Sequence, residues 1–431
     1  MTNCSAGITR AQIHQRIQGR YGAAQAALLR RLGSLDLAED AMQDAVIKAL
    51  ETWPEQGIPQ HIVAWLVTTG MNAFRDRYRR DTRGRELIQE HLAPLGSPED
   101  GNGELPDWPA GGHDGEGQDD VLRLIFMCCH PALAVENQIA LTLKVVLGFS
   151  LQEIASALLV KERTLEQRLT RSKRKIAANA IEFELPHEQH LQDRLGAVQQ
   201  VLYLIFNEGY YGSSGVLLDQ AICRNAILLC RALCRLYPQP ENLGLLALML
   251  FLDARAPARL GEEGELVTLD RQDRKLWLAS QIQEADVLLQ KSLRHRQAGT
   301  YQLQAAIAGL HSTAISSAET DWQEIVGLYQ LLLRIQDEPV VRLNCAVAML
   351  FAGNKVDAES CLSALQQDLS EYSPYWAARA KLAELNADDD ARIKALEKAM
   401  ELGGSREELR HYAEQLAELQ GDPGKARPAM H

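Results

Sequence analysis

The chain is short of aromatic side chains, of cysteine and of long apolar runs, and each shortage closes off a class of protein. Aromatics make up 6% of the 431 residues. The eight cysteines, at 4, 128, 129, 223, 230, 234, 345 and 361, are thinly spread, whereas disulfide scaffolds are short, secreted and cysteine-dense. They read as reduced thiols. The longest nearly unbroken apolar stretch, Leu243 to Leu252, is too short to span a bilayer, and no basic segment followed by an apolar one opens the chain. A cytoplasmic protein with no membrane contact is expected. A Gly-rich phosphate loop, a Ser-His-Asp ordering and a His-Glu-x-x-His pattern are also missing, so no catalytic residue, cofactor or enzyme activity is expected.

What is present is 46% hydrophobic and 24% charged, the profile of a globular chain long enough for two to four domains. Its net charge of −12 is unevenly spread. Residues 75–85 hold six Arg against two Asp, and residues 161–175 hold seven Lys or Arg against two Glu. Between them, residues 96–120 hold eight Asp or Glu and no Lys or Arg. Two basic islands in an acidic chain imply two local contacts with a polyanion.

Hydrophobic spacing of the helical period runs through most of the chain, so an all-α fold is predicted. Residues 10–95 read as helices, with a loop forced at Trp53–Pro59 by two prolines and a long helix from about Ile62 to Arg83. Residues 96–120, with seven Gly and three Pro beside the eight acids, read as a flexible acidic linker. Residues 121–182 return to helical periodicity. Residues 187–420 form a further helical region broken at Pro238, Pro257, Pro339 and Pro374, and 421–431 read as a disordered tail. Leu350, Ala358 and Leu362 recur 33 positions later as Ala383, Ala391 and Ala395. Such a period suits stacked helical hairpins of the tetratricopeptide type, and an ordinary Ala-rich bundle is the other reading.

The most specific chemistry lies in residues 147–176. Ser150 and Glu153 have capping-box spacing before a short helix whose apolar face is Ile154, Ala155 and Leu158. Leu159–Lys161 can turn the chain into a second helix from about Glu162 to Ile176, which makes a helix-turn-helix. Leu165, Leu169 and Ile176 share one face of that second helix, while Arg163, Gln167, Arg171 and Arg174 share another, with Arg168 and Lys175 at its edge. Guanidinium groups so placed reach guanine edges or phosphates. A merely solvated basic face is the alternative, and the capped first helix favours DNA.

Several stretches together resemble a known family. Leu37–Ala45, then Ala64-Trp65-Leu66, Asn72 and Arg75–Arg80 resemble conserved region 2 of the extracytoplasmic-function (group IV) sigma factors of bacterial RNA polymerase. Residues 150–175 resemble region 4 of the same family. Leu124–Pro131 and Phe206–Tyr211 resemble the subgroup with a long C-terminal extension of tetratricopeptide-like helices.

The resemblance implies two small helical sigma domains joined by the linker, with core RNA polymerase and promoter DNA as partners. It implies that the region 2 helix over 38–51 meets the polymerase through Glu39, Asp40, Gln43, Asp44 and Glu51. Minus-10 contacts fall to His61, Asn72, Arg75, Arg77, Arg79 and Arg80, and Trp53–His61 becomes the segment that captures an unstacked base. Trp65 is expected in the core. Minus-35 contacts fall to Arg163, Thr164, Gln167, Arg168, Arg171, Lys173, Arg174 and Lys175. The acidic linker either mimics a phosphate chain in a polymerase channel or is a plain tether. The C-terminal domain is expected to regulate activity, through a protein or small-molecule signal. A DNA-binding regulator that does not act as sigma is the alternative, and residues 37–80 are what such a regulator would have no reason to carry.

One departure from the family is Lys161, where a small polar cap is usual; lysine cannot accept the orphan amide hydrogen bonds of the first turn. Cys128-Cys129-His130 is not expected to bind metal, because neighbours on a helix point apart and no second cysteine pair has finger-like spacing. Cys223, Cys230 and Cys234 repeat at helical spacing and read as small buried hydrophobes. Asn207–Gly215 reads as a shaped Gly-rich loop.

Overall fold

The computed structural model describes residues 9–80, 114–211, 220–261, 267–294 and 298–420, apart from 159, 180, 182, 187, 270 and 405. The expected tail, and the expected linker up to residue 113, lie outside these residues. No β-strand forms among the described residues. The chain divides into two compact units, Met1–Ile205 and Phe206–His431.

The first unit begins with α1 (Arg10–Gln18), closed by a capping box between Thr9 and Gln12. Next come α2 (Tyr21–Leu32), ended by Gly33 at φ +66°, α3 (Leu35–Gln56) and α4 (Ile62–Arg80). The predicted break therefore falls later than Trp53: α3 carries Pro54 inside its last turns and stops at Gly57, whose φ of +87° suits glycine. Helices α3 and α4 run antiparallel and approach closely at Gly70, where an added Cβ would lie 2.7 Å from the Ala41 carbonyl oxygen. Leu28, Met42, Trp53 and Leu66 fill the core between α2, α3 and α4.

Helix α5 (Asp114–Cys128) starts within the stretch read as linker. Its Asp120 carboxylate is buried and bonded to Arg30 of α2 and Arg123 of its own helix, which offsets the cost of burying a charge. Helix α6 (Val135–Leu141) runs into a π-turn over Thr142–Val146. Gly148 follows at φ +71°, with the Tyr21 ring over its Cα. Helices α7 (Leu151–Ala157) and α8 (Glu162–Ala178) form the predicted helix-turn-helix. The expected capping box is made: the Ser150 amide donates to Glu153 at 2.7 Å and the Glu153 amide to Ser150 Oγ at 3.1 Å. Helix α9 (Glu188–Tyr211) contains the boundary between the units.

The second unit holds α10 (Gln220–Leu236), α11 (Pro240–Asp253), α12 (Ala279–Leu293), α13 (Thr300–Thr313), α14 (Trp322–Ile335), α15 (Pro339–Phe351), α16 (Lys355–Ala364), α17 (Gln366–Leu369), α18 (Ser373–Leu385), α19 (Asp389–Glu401) and α20 (Arg406–Leu419). Asn207–Tyr211, expected in a loop, is helical, because Phe206 and Tyr210 stack one turn apart at 5.7 Å and Arg259 covers the Tyr210 ring at 3.9 Å. Helix α11, the long apolar stretch of the sequence, is buried almost all round. Each of its Leu and Phe side chains contributes roughly 1.5–3 kcal/mol by leaving water. Its Gly244 lies against the Gln302 backbone of α13, and its Glu241 carboxylate accepts from the Tyr301 and Gln302 amides at 3.1 Å, capping that helix. Pro339 and Pro374 open α15 and α18, as a residue without an N–H suits a first turn. Helices α15 and α18 begin 34 residues apart, as do α16 and α19.

Candidate nucleic-acid and polymerase interface

Helix α8 has two faces. Leu165, Leu169, Ser172 and Ile176 are buried, while Arg163, Thr164, Gln167, Arg171, Arg174 and Lys175 are exposed. Lys161 starts the helix with extended backbone and no side-chain cap, as its chemistry required. The exposed row carries four cations and is braced locally: Arg171 Nε donates to the Gln167 carbonyl at 3.3 Å and Lys175 Nζ to the Ala132 carbonyl. Arg168 and Lys173 flank the buried stripe on opposite sides, and both are half-buried.

Lys173 does not point outward with the rest. Its ammonium is paired with Glu39, which is only 4% exposed, and reaches Asp36 at 3.3 Å. Burial raises the Glu39 carboxyl above its ordinary value, against the pull of Lys173. Burial works to lower Lys173, but the Glu39 and Asp36 carboxylates outweigh it and hold the ammonium above its ordinary value. Glu39, expected to meet the polymerase, is thus enclosed by this chain. The sequence held the signal: Lys173 lies four residues after Leu169 and three before Ile176, close to the buried stripe.

On α3, Asp40, Gln43 and Glu51 are exposed and Asp44 is half-buried. Asp40 and Asp44 both pair with Arg77 of α4, the first at 3.2 Å, and Glu51 pairs with Lys48 at 3.1 Å. The minus-10 candidates therefore separate. Arg77 faces α3, His61 and Asn72 are exposed, and Arg75 is half-buried. Arg79 and Arg80 end α4, and their side chains lie outside the described residues. Arg31 of α2 lies near Arg75: burial, then the neighbouring Arg30 and Arg75 cations, hold its guanidinium below its ordinary value. No sequence signal joined Arg31 to Arg75, because they sit on different helices.

The two tryptophans exchange their expected places. Trp53, assigned to base capture, is 1% exposed and packs edge-to-face on Trp65 at 5.1 Å. Trp65, assigned to the core, is only half-buried. Because α3 continues through Pro54, Trp53 stays on the inner face of a helix instead of entering a loop.

Cys128 and Cys129 are buried, and burial pushes the Cys129 thiol up to about 12 and Cys128 upward too. His130 Nδ1 accepts the Ala132 amide at 3.1 Å. Among the described residues no three His, Cys, Asp or Glu side chains gather to hold a metal. No described helix is long and apolar enough to cross a membrane.

Comparison with known proteins matches these elements to named families. Residues 20–84 match sigma-70 region 2 and residues 123–176 match sigma-70 region 4. Residues 194–293 match a family of unknown function. A protein of Rhizobium meliloti (strain 1021), named only as uncharacterized, is 43% identical over 405 residues, which cover 93% of this chain and 94% of the relative. A helix-turn-helix regulator that does not act as sigma is not favoured, since region 2 is present beside region 4. With both conserved regions in order on the helices that present these charges, the chain belongs to the sigma-70 family and is a sigma factor that directs promoter-specific transcription by RNA polymerase.

Proposed function

We propose that this sigma factor is of the extracytoplasmic-function (group IV) type, with a C-terminal extension of tetratricopeptide-like helices that regulates it. The observation that carries the reading is α8, with its buried apolar stripe and exposed cationic row on the second helix of a helix-turn-helix. Region 4 reads the minus-35 element through Arg163, Thr164, Gln167, Arg171, Arg174 and Lys175, with Arg168 at the edge. Region 2 meets the polymerase through Asp40, Gln43, Asp44 and Glu51. It meets minus-10 DNA through His61, Asn72 and Arg75, with Arg77, Arg79 and Arg80 contributing phosphate contacts. The 34-residue recurrence of helix starts in the second unit supports the tetratricopeptide-like reading.

The packed first unit is a closed form of this machine. Arg77 and Lys173, assigned to two different promoter elements, both bond to acids between Asp36 and Asp44 of α3. That segment is only about 13 Å long at 1.5 Å per residue. Elements centred 25 positions apart on straight duplex are separated by roughly 85 Å at 3.4 Å per base. Regions 2 and 4 cannot engage both elements without parting, and parting takes Lys173 from Asp36 and Glu39 while Arg77 stays with Asp40 and Asp44 inside region 2.

Run-off transcription with core RNA polymerase and promoter DNA from the same genome tests the reading. Initiation at specific sites should require the protein. Asp44→Arg should impair core binding, whereas Arg171→Ala should spare it and weaken minus-35 recognition. Equal loss of core binding in both variants would contradict the assignment.

A further inference from the structure

The second unit contains a cavity of about 230 Å³ between the end of α13, the segment 314–321, α14 and α15. Aromatic rings form one wall. Trp322 stacks on Phe351 with centroids 4.5 Å apart and an interplanar angle of 16°, and the His311 imidazole meets Trp322 edge-on at 5.1 Å. Phe351 is 41% exposed, so the wall is open on one side.

The polar lining is not used up by the protein. The side chains of His311, Ser317, Trp322 and Asn344 line the cavity and make no hydrogen bond to another described residue. Asn344 is exposed and the other three are half-buried, so a bound molecule can replace water on all four. Charge narrows the choice. Among the described residues no Asp or Glu lines the cavity, although the chain carries a net charge of −12. Arg274 does line it, held in place by the carbonyls of His311 at 2.7 Å and Ala314 at 2.6 Å. Burial, then Arg255 and Arg274, lower His311 to about 4, so its ring is neutral at pH 7 and offers one donor and one acceptor.

We propose that this cavity binds a small planar aromatic molecule bearing one carboxylate, with its ring against Trp322 and Phe351 and its anionic end toward Arg274 and His311. Pockets for drug-sized ligands hold roughly 300–1,000 Å³. This one has room for about eight waters at roughly 30 Å³ each, which suits one or two fused rings and excludes a nucleotide. Stacking supplies adhesion, while Arg274, with no carboxylate among the described lining residues, selects the negative charge.

The test uses the full-length protein with indole-3-carboxylate and indole-3-carboxamide as probes, following the Trp322 indole N–H resonance assigned through Trp322→Phe. The carboxylate should move that resonance saturably, and the carboxamide should bind about tenfold more weakly, a difference of about 1.4 kcal/mol. Asn344→Asp, at the exposed rim, should weaken carboxylate binding by about tenfold and leave the carboxamide and the melting temperature unchanged. No saturable shift with either probe would mean a water-filled cavity and overturn the proposal. Equal binding of acid and amide, or an Asn344→Asp variant that binds the acid normally, would overturn it as well. Neither polymerase nor DNA enters the measurement, so its failure is separate from that of the sigma reading.

Discussion

Replacing Lys173 by Met should open the first unit, and the size of the effect follows from Glu39. In the closed form the Glu39 side chain is 6% exposed and its charge is matched by Lys173. Removing one partner of a buried pair costs about 3–5 kcal/mol. The loss has a ceiling, because Glu39 can take up a proton instead; from an ordinary value near 4.3 this costs about 3.7 kcal/mol at pH 7 at roughly 1.36 kcal/mol per unit. Asp36 is 72% exposed and adds little. A penalty of about 3 kcal/mol shifts the balance between closed and open forms by a factor of about 100. Hydrogen exchange read by mass spectrometry should then show residues 35–44 and 162–178 losing protection together, while α10–α16 keep theirs. Glu39→Gln combined with Lys173→Met leaves no unpaired charge and should restore most of the protection, since exchanging both partners of a buried pair for neutral groups is close to neutral. Protection unchanged in the single variant, or a double variant as exposed as the single one, would refute the reasoning.

Three further outcomes are expected. Arg171→Ala should weaken binding to minus-35 DNA by on the order of 1–3 kcal/mol and reduce its salt dependence only slightly, measured by fluorescence anisotropy across a salt series. Gly70→Ala drives a methyl into the Ala41 carbonyl and should destabilise the first unit by about 1–3 kcal/mol in thermal melts, with a loss below about 0.5 kcal/mol counting against the close α3–α4 approach. His311, lowered from 6.5 to about 4 in the folded chain, contributes stability that is complete above pH 6.5 and lost as pH falls toward 4, because the unfolded chain binds the proton first. That contribution is on the order of 3 kcal/mol, and His311→Gln should flatten the pH dependence of the second unit's melting across that window.

Much of the helical layout was legible because it depends on neighbours in sequence. The Ser150–Glu153 capping box, the buried stripe Leu165, Leu169 and Ile176 and the uncapped Lys161 all follow from spacing within two turns. Elements that depend on competition between local and tertiary preference were less legible. Pro54 looked like a helix breaker, yet the burial of Trp53 beneath Trp65 holds α3 to Gln56. The glycines after Asn207 suggested a loop, yet the stack of Phe206 on Tyr210 under Arg259 keeps the helix running to Tyr211.

By itself the sequence determined that the chain is helical, that its cations gather in two places, and that one of these is a helix-turn-helix; on α8 periodicity settles which face packs inward and which meets water. Only the tertiary structure decided what those faces meet. Lys173 and Glu39 lie 134 residues apart, and no local rule distinguishes a lysine that will touch DNA from one that neutralises a buried glutamate. The aromatic cavity likewise combines Arg274, His311, Trp322 and Phe351 from separate elements. Contacts at such separations are chosen by the way whole helices pack, since desolvation penalises every buried charge until a distant partner is brought beside it.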